Sequence, residues 1–176
     1  MVTIKDKTFE LFITKEEISE KISALGAVLS KDYKHKKPLF ISVLNGAFIF
    51  SADLFRTIRA DAEITFIRLS SYEELQSTGN VKELLGLKEN IFGRDIILIE
   101  DIVDTGETLA HLEEVFADLG PKSFKVVTLL HKPDAQRKAR IPDYVGFEIP
   151  EKFVVGFGLD YDGLGRGLSD IYQLKQ

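Results

Sequence analysis

The sequence predicts an α/β protein with a central, mostly parallel sheet and a small β-rich attachment. Short apolar runs of strand length alternate with segments of helical periodicity up to residue 120, and after it strand-like runs follow one another between proline-bearing turns. Alternating strands and helices are typical of parallel sheets, whereas consecutive strands indicate an added β-rich unit. The 176 residues, 44% hydrophobic and 29% charged, are enough for one domain with a full core.

In the first half of the chain, the sequence predicts two helices and two strands. Thr14 and Glu17 have capping-box spacing, and Ile18, Ile22 and Leu25 start an apolar series that predicts a helix over residues 15–30. Apolar runs predict strands over residues 39–44 and 62–69, with a helix over 47–59 between them. Residues 70–90 are polar and contain glycine, and we expect a mobile loop plus a hairpin there.

The second half starts with the clearest unit, a strand, a polar turn and a helix within residues 95–120. Residues 96–99 form a continuous apolar strand, and from Leu109 apolar residues recur at helical spacing until Gly120. Further strands are predicted over residues 124–130, 144–149 and 153–157.

Composition and charge exclude several classes of function. The chain has no cysteine and only three scattered histidines, which makes disulfides and thiolate zinc sites impossible and a histidine zinc site improbable. The net charge of −5 does not favour general binding to nucleic acid or to an anionic membrane. Residues 1–9 lack an apolar segment of signal-peptide length, and no stretch approaches the ~20 apolar residues of a membrane helix, so we expect a cytoplasmic protein.

The polar turn after the strand at residues 96–99 carries the candidate chemistry. Thr105 and Thr108 offer hydroxyl groups, and Gly106 lets the backbone approach closely, so the start of the helix could bind a phosphate monoester. Glu100 and Asp101 could accept hydrogen bonds from a vicinal diol or bind Mg²⁺. The turn lacks the Walker A lysine and the dinucleotide-binding glycine spacing. The alternative is that these acids are solvated loop residues, with Asp104 capping the helix.

Residues 97–109 read ILIEDIVDTGETL, and this segment resembles the phosphoribosyl-pyrophosphate signature of type I phosphoribosyltransferases. Residues 145–161 are similar to the purine-binding end of the hypoxanthine-guanine branch, and matching elements span residues 39–174. The resemblance implies the type I phosphoribosyltransferase fold in a single domain, with a core over about residues 35–150. A small β-rich hood would come from the N-terminal segment and about residues 150–176.

The resemblance also implies an activity and its partners. The expected reaction is purine salvage: transfer of the phosphoribosyl group from phosphoribosyl pyrophosphate to hypoxanthine or guanine, with Mg²⁺ as cofactor and release of pyrophosphate. It further implies a homodimer or homotetramer that binds no nucleic acid or membrane. Xanthine stays open as a base, because backbone carbonyls read the C2 substituent.

Site residues follow from the resemblance position by position. The catalytic residue is Asp104, which would take the purine N7 proton. The phosphoribosyl group and its 5′-phosphate are assigned to Glu100, Asp101, Asp104, Thr105, Gly106, Glu107 and Thr108. The purine is assigned to Lys132, Phe153, Val154 and Asp160, and pyrophosphate to Asn45, Gly46 and Arg166. Glu100, Asp101 and Asp160 are the expected metal ligands, and Ser71 and Tyr72 belong to the loop expected to close over the reaction.

Two departures and one alternative accompany the resemblance. Asn45 stands where many relatives carry lysine or arginine, and residues 162–167 are richer in glycine than in many relatives. The basic cluster at residues 31–37 is interpreted as a solvated loop. The alternative function is a regulator with the same fold that senses nucleotides and binds RNA, against which the net charge of −5 argues.

Overall fold

A computed structural model describes residues 1–69, 84–138 and 140–175 of the chain. In chain order the elements are β1 (Val2–Ile4), β2 (Lys7–Ile13), α1 (Lys15–Asp32), β3 (Leu39–Leu44), α2 (Phe48–Thr57), β4 (Glu63–Leu69), β5 (Leu84–Leu85), β6 (Asp95–Val103), α3 (Glu107–Asp118), β7 (Ser123–His131), β8 (Tyr144–Glu148), β9 (Val154–Val155) and β10 (Ile171–Leu174). In the described ranges, no helix is long and apolar enough to cross a membrane.

The central sheet has the strand order β5-β4-β3-β6-β7-β8. In the part of the sheet with the order β4-β3-β6-β7-β8, each strand is parallel to its neighbours. Strand β5 pairs with β4 in the antiparallel direction. The α/β fold with a mostly parallel sheet is therefore confirmed. The carboxyl ends of β3, β6 and β7 meet at one edge of the sheet, where ligands bind in open α/β folds.

Helices cover both faces of this sheet. Side chains of α1 and α2 share one buried cluster with Phe40 and Ile97, while Leu109, Leu112 and Phe116 of α3 pack on the opposite face. Strands buried on both faces explain the continuous apolar runs in the sequence. The capping box of α1 forms as expected, because Thr14 and Glu17 each bond the other's backbone N–H.

A second, antiparallel sheet has the order β1-β2-β10-β9 and is called the hood below. Strand β2 pairs with both β1 and β10, and Leu174 lies opposite Phe9. The residue patterns did not predict β1, β2 or β10 as strands. The burial of β2 does not alternate strictly, because Phe9 and Ile13 are buried while Leu11 between them is exposed.

Most elements differ from the expected bounds by one or two residues, and two differences bear on the site. Strand β6 extends to Val103, which pairs with His131, so Glu100 and Asp101 lie within the strand and not in the turn after it. The strand expected over residues 153–157 is reduced to Val154–Val155, because Gly156 (φ 101°) and Phe157 (φ 49°) turn the chain away. Both acids are consequently held by the ladder of β6.

Candidate active site

The turn after β6 and the first two residues of α3, together residues 104–108, border a small cavity at the carboxyl edge of the sheet. The cavity has a volume of about 90 Å³ and is lined by Glu100, Ile102, Val103, Asp104, Thr105, Gly106, Glu107, Thr108 and Leu109. All the residues assigned to the phosphoribosyl group except Asp101 therefore face the same cavity. We call residues 104–108 the anion loop.

Gly106 gives the anion loop its shape. Its φ of 79° is left-handed, a conformation that glycine adopts without strain, and it begins α3 without any side-chain cap. The hydroxyl of Thr105 accepts a 3.4 Å hydrogen bond from the backbone N–H of Glu107. Because the first turn of a helix has N–H groups without helical partners, it provides the donors and partial positive charge that attract an anion.

Asp104 pairs with Lys132 next to the anion loop. Lys132 directly follows β7, its backbone N–H bonds the carbonyl of Val103, and its Nζ lies 2.6 Å from Asp104 Oδ2. The side chain of Lys132 is 11% exposed, whereas that of Asp104 is 47% exposed. The ammonium is thus held below the surface while the carboxylate stays open to an incoming ligand.

The second pair of acids, Glu100 and Asp101, has no comparable cation. Burial raises the pKa of Glu100 well above its usual value, and the charge of Asp101 adds to the shift. Burial also raises the pKa of Asp101 to about 6, although the backbone N–H of Ile102 and the guanidinium of Arg166 act in the opposite direction. Both carboxyl groups therefore favour protonation or a positive partner more than ordinary acids do.

Asp101 also contacts the turn at the end of β3. A Cβ atom placed on Gly46 would lie 1.6 Å from Asp101 Oδ2, so only glycine fits against this carboxylate. The peptide bond between Leu44 and Asn45 is cis, and the Asn45 side chain is exposed. This contact places Gly46, one of the three residues expected to meet pyrophosphate, directly against β6.

The loop after β9 completes this side of the site. A Cβ on Gly158 would lie 2.1 Å from the carbonyl oxygen of Gly46, so the two loops touch through their backbones. Arg166 bonds Asp160 Oδ1 at 2.6 Å and the carbonyl of Gly158 at 2.7 Å, while Asp160 Oδ2 accepts from the N–H of Gly163. Asp160 and Arg166 are therefore each other's partners and are not both free to bind a ligand.

Phe153 and Val154 lie where the hood meets the central sheet. Phe153 is 45% exposed, and Tyr161 meets its ring edge-on at 5.9 Å between centroids. Phe9 of β2 lies 6.2 Å from both rings, and Lys7 Nζ lies 4.6 Å from the Tyr161 centroid. Val154 is buried in β9. The sequence reasoning missed Phe9 and Lys7, because their contacts with Phe153 and Tyr161 join residues about 150 positions apart.

Two expectations are left without a structural counterpart. Ser71 and Tyr72 lie outside the described residues. In the described part of the chain, no three or more acidic or histidine side chains converge as a metal site, so Glu100, Asp101 and Asp160 do not enclose an ion by themselves. A metal held here would need oxygen atoms from a ligand as well.

The fold and the anion loop define the class: an α/β protein with a glycine-containing strand-to-helix turn at the carboxyl edge of a parallel sheet. Residues 13–162 match the family model described as phosphoribosyl transferase domain. The chain belongs to the phosphoribosyltransferase family.

Individual relatives narrow the comparison within the family. The chain is 45% identical to the hypoxanthine-guanine phosphoribosyltransferase of Bacillus subtilis (strain 168), over 94% of this chain and 93% of the relative. Identity to the enzyme of the same name from Lactococcus lactis is 43%, over 97% and 93% of the two chains. The solved hypoxanthine phosphoribosyltransferase of Trypanosoma cruzi, a ternary complex with substrates, superimposes with a TM-score of 0.87 at 36% identity, covering 98% of this chain and 97% of that chain.

Proposed function

We propose that this chain is a purine salvage enzyme that transfers the phosphoribosyl group from phosphoribosyl pyrophosphate to hypoxanthine or guanine. The products are inosine or guanosine monophosphate and pyrophosphate. The observation that carries the proposal is the Asp104–Lys132 pair beside the anion loop, because it sets a proton acceptor and a donor next to a phosphate-type site. Relatives at 41–45% identity carry the name of this activity.

The anion loop binds the 5′-phosphate in this proposal. The N–H groups at the start of α3 and the hydroxyls of Thr105 and Thr108 supply donors on one side of the cavity. The exposed Glu107 lies at its rim. Fixing the phosphate fixes the ribose ring above β6, so that C1 is presented to the base.

Loss of pyrophosphate leaves positive charge on C1 and negative charge on the leaving group. The backbone of Asn45 and Gly46 would donate to pyrophosphate, and Arg166 would join it by leaving Asp160, to which it is now paired. The exposed Asn45 adds no positive charge at this point. Binding of pyrophosphate should therefore depend on backbone donors and on the metal more than on side-chain cations.

Asp104 and Lys132 act on the purine. Lys132 Nζ is a donor only, so it bonds an acceptor such as the exocyclic oxygen of a 6-oxopurine and disfavours the amino group of adenine. Asp104 accepts the N7 proton as the new bond forms, and the Lys132 ammonium, 2.6 Å away, holds its carboxylate in place. The exposed face of Phe153 stacks on the base, and the backbone of Val154 reads its edge.

The residues present fit Mg²⁺ as a cofactor. Carboxylate oxygens are preferred Mg²⁺ ligands. Burial raises the pKa values of Glu100 and Asp101, and Arg166 opposes that shift only in part and only for Asp101. Glu100 and Asp101 would hold the ion together with the ribose hydroxyls, and Asp160 would join them when Arg166 moves to pyrophosphate. When bound, the ion would neutralise charge on the departing pyrophosphate.

The remaining expectations follow from the same proposal. The partners are phosphoribosyl pyrophosphate and a 6-oxopurine, the chain works in the cytoplasm, and it forms a homodimer or homotetramer that binds no nucleic acid. The relatives compared above are named as enzymes, and they give no support to the RNA-binding regulator.

The test is an absorbance assay of the purified protein with phosphoribosyl pyrophosphate and Mg²⁺. Hypoxanthine, guanine, xanthine and adenine are supplied separately, and the Asp104→Asn variant controls for contaminating host enzymes. Turnover of hypoxanthine or guanine but not adenine is expected. Folded wild-type protein that consumes none of the four bases would overturn the proposal.

A further inference from the structure

The side chains of His131 and Gln136 form a hydrogen-bonded pair next to the anion loop, and we call this pair the clasp. His131 ends β7 and is 4% exposed, and its Nε2 bonds Oε1 of Gln136. The amide nitrogen of Gln136 donates to the carbonyls of Lys138 (3.0 Å) and Arg140 (2.6 Å). All three contacts converge on one amide group, which therefore holds the chain after β7 in a closed turn.

The hydrogen bonds of Gln136 determine which ring nitrogen of His131 carries the hydrogen. The amide nitrogen of Gln136 faces two carbonyl oxygens, which fixes the amide orientation and leaves Oε1, an acceptor, facing the imidazole. Nε2 of His131 must then carry the hydrogen. Its Nδ1 is buried and has no hydrogen-bond partner among the described residues, so the Nε2 contact is the one that orients the ring.

The closed turn grips the anion loop through backbone bonds. The N–H groups of Arg137 (3.0 Å) and Lys138 (3.3 Å) both donate to the carbonyl of Thr105. A Cβ placed on Gly106 would lie 3.4 Å from Lys138 and 3.6 Å from the Gln136 side chain, so the turn packs directly against the left-handed glycine. The position of Thr105 and Gly106 thus depends on the segment that Gln136 holds.

We propose that His131 and Gln136 are positioning residues for the 5′-phosphate. They hold residues 136–138, whose backbone clamps Thr105 and fixes the N–H groups of the anion loop before the ligand arrives. Neither side chain is among the residues that line the cavity, so they act through the loop and not by contact with phosphate. This inference rests on the proposed function, because it assigns support to the phosphate subsite of that function.

The test compares ligands with and without the phosphate. Affinities for inosine monophosphate and inosine are measured by calorimetry in the wild type and in Gln136→Leu, which keeps much of the shape but removes all three hydrogen bonds. We expect monophosphate affinity to fall about tenfold or more, inosine affinity to change less than twofold, and the KM for phosphoribosyl pyrophosphate to rise more than kcat falls. His131→Leu should behave alike, and His131→Gln, which can donate to Oε1, should restore most of the affinity.

A matched control is available in the hood. Gln173 also donates from its side-chain amide, in a 2.7 Å bond to Glu10, far from the anion loop. Gln173→Leu should leave the ratio of the two affinities unchanged, and melting temperatures show whether each variant folds.

The outcomes separate this inference from the proposed function. If the wild type turns over a 6-oxopurine and Gln136→Leu keeps the wild-type affinity ratio, the clasp has no positioning role and the function stands. If Gln136→Leu weakens both ligands equally, its effect is general destabilisation and the inference is likewise overturned. A wild type that neither turns over nor binds inosine monophosphate more tightly than inosine would overturn both.

Discussion

Replacing Asp101 by asparagine should stabilise the ligand-free protein at neutral pH and not at pH 4. Burial raises the pKa of Asp101 from 3.8 to about 6, so the folded state holds its proton to higher pH than the unfolded state does. Between about pH 4 and pH 6 the folded protein binds more protons, and its stability falls as the pH rises. Asparagine has no such ionisation and keeps an acceptor for the N–H of Ile102.

The size of the effect follows from the shift. A shift of about 2 pKa units at 1.36 kcal/mol per unit lowers the free energy of unfolding of the wild type by about 3 kcal/mol. This destabilisation is complete above pH 7 and absent below pH 4. Glu100 adds to it in the same direction, because the charge of Asp101 is one cause of its raised pKa. The free energy of unfolding of Asp101→Asn, minus that of the wild type, should therefore grow by about 3 kcal/mol between pH 4 and pH 8.

Urea unfolding at several pH values measures this difference. The chain has no tryptophan, so far-UV circular dichroism is the suitable probe, and chelator in the buffer keeps divalent cations away from Glu100 and Asp101. Asp118→Asn, the same chemical change on the exposed end of α3, controls for the loss of one negative charge. A stability difference that stays constant from pH 4 to pH 8, or one that shrinks, would refute the reasoning.

Three further predictions concern the Asp104–Lys132 pair and the packing of α1. Asp104→Asn should lower kcat by about 100-fold or more, because the amide keeps the shape of the side chain but cannot take a proton. Its affinity for phosphoribosyl pyrophosphate, measured by calorimetry, should change by less than about threefold. Equal losses of kcat and of affinity would contradict the general-base role. Lys132→Met should lower kcat/KM for hypoxanthine by about 10- to 100-fold in steady-state kinetics. Lys125→Met, within β7 and paired with Asp143, should leave that kcat/KM unchanged. Gly26→Ala should lower the free energy of unfolding, measured with urea, by about 1–3 kcal/mol, because its Cβ would lie 1.7 Å from Thr57 Oγ1. The loss is expected even though alanine has the better helix propensity. A more stable variant would show that α2 can move away freely.

Local patterns in the sequence predicted the features that depend on neighbouring residues. The capping box at Thr14, the buried run of β3 and the position of Gly106 at the start of α3 all follow from spacing within a few residues. The order of the acids, threonines and glycine was also sufficient to identify the family. These features were predictable because backbone conformation and burial leave a period or a special residue in the sequence.

Features that depend on distant residues were not predicted. Strand β10 pairs with β2 across about 160 positions, and the four residues of β10 are too few to leave a strong pattern of their own. The fit of Gly46 against Asp101 and the bond from His131 to Gln136 need the folded sheet edge to bring the partners together. The extension of β6 to Val103 was missed because acids inside a strand look like the start of a turn.

The two pairs of charged groups in the site differ in a way that suits two kinds of ligand. Asp104 already has a cationic partner in the ligand-free site, because Lys132 Nζ lies 2.6 Å from its carboxylate. Glu100 and Asp101 are buried next to each other in sequence, and Arg166 offsets part of the cost of the Asp101 charge only. A ligand that brings positive charge or hydrogen-bond donors relieves that cost, so part of its binding energy comes from removing an unfavourable arrangement in the free protein. The proton-transfer group is therefore preorganised, whereas the sugar and metal side is completed by what binds there.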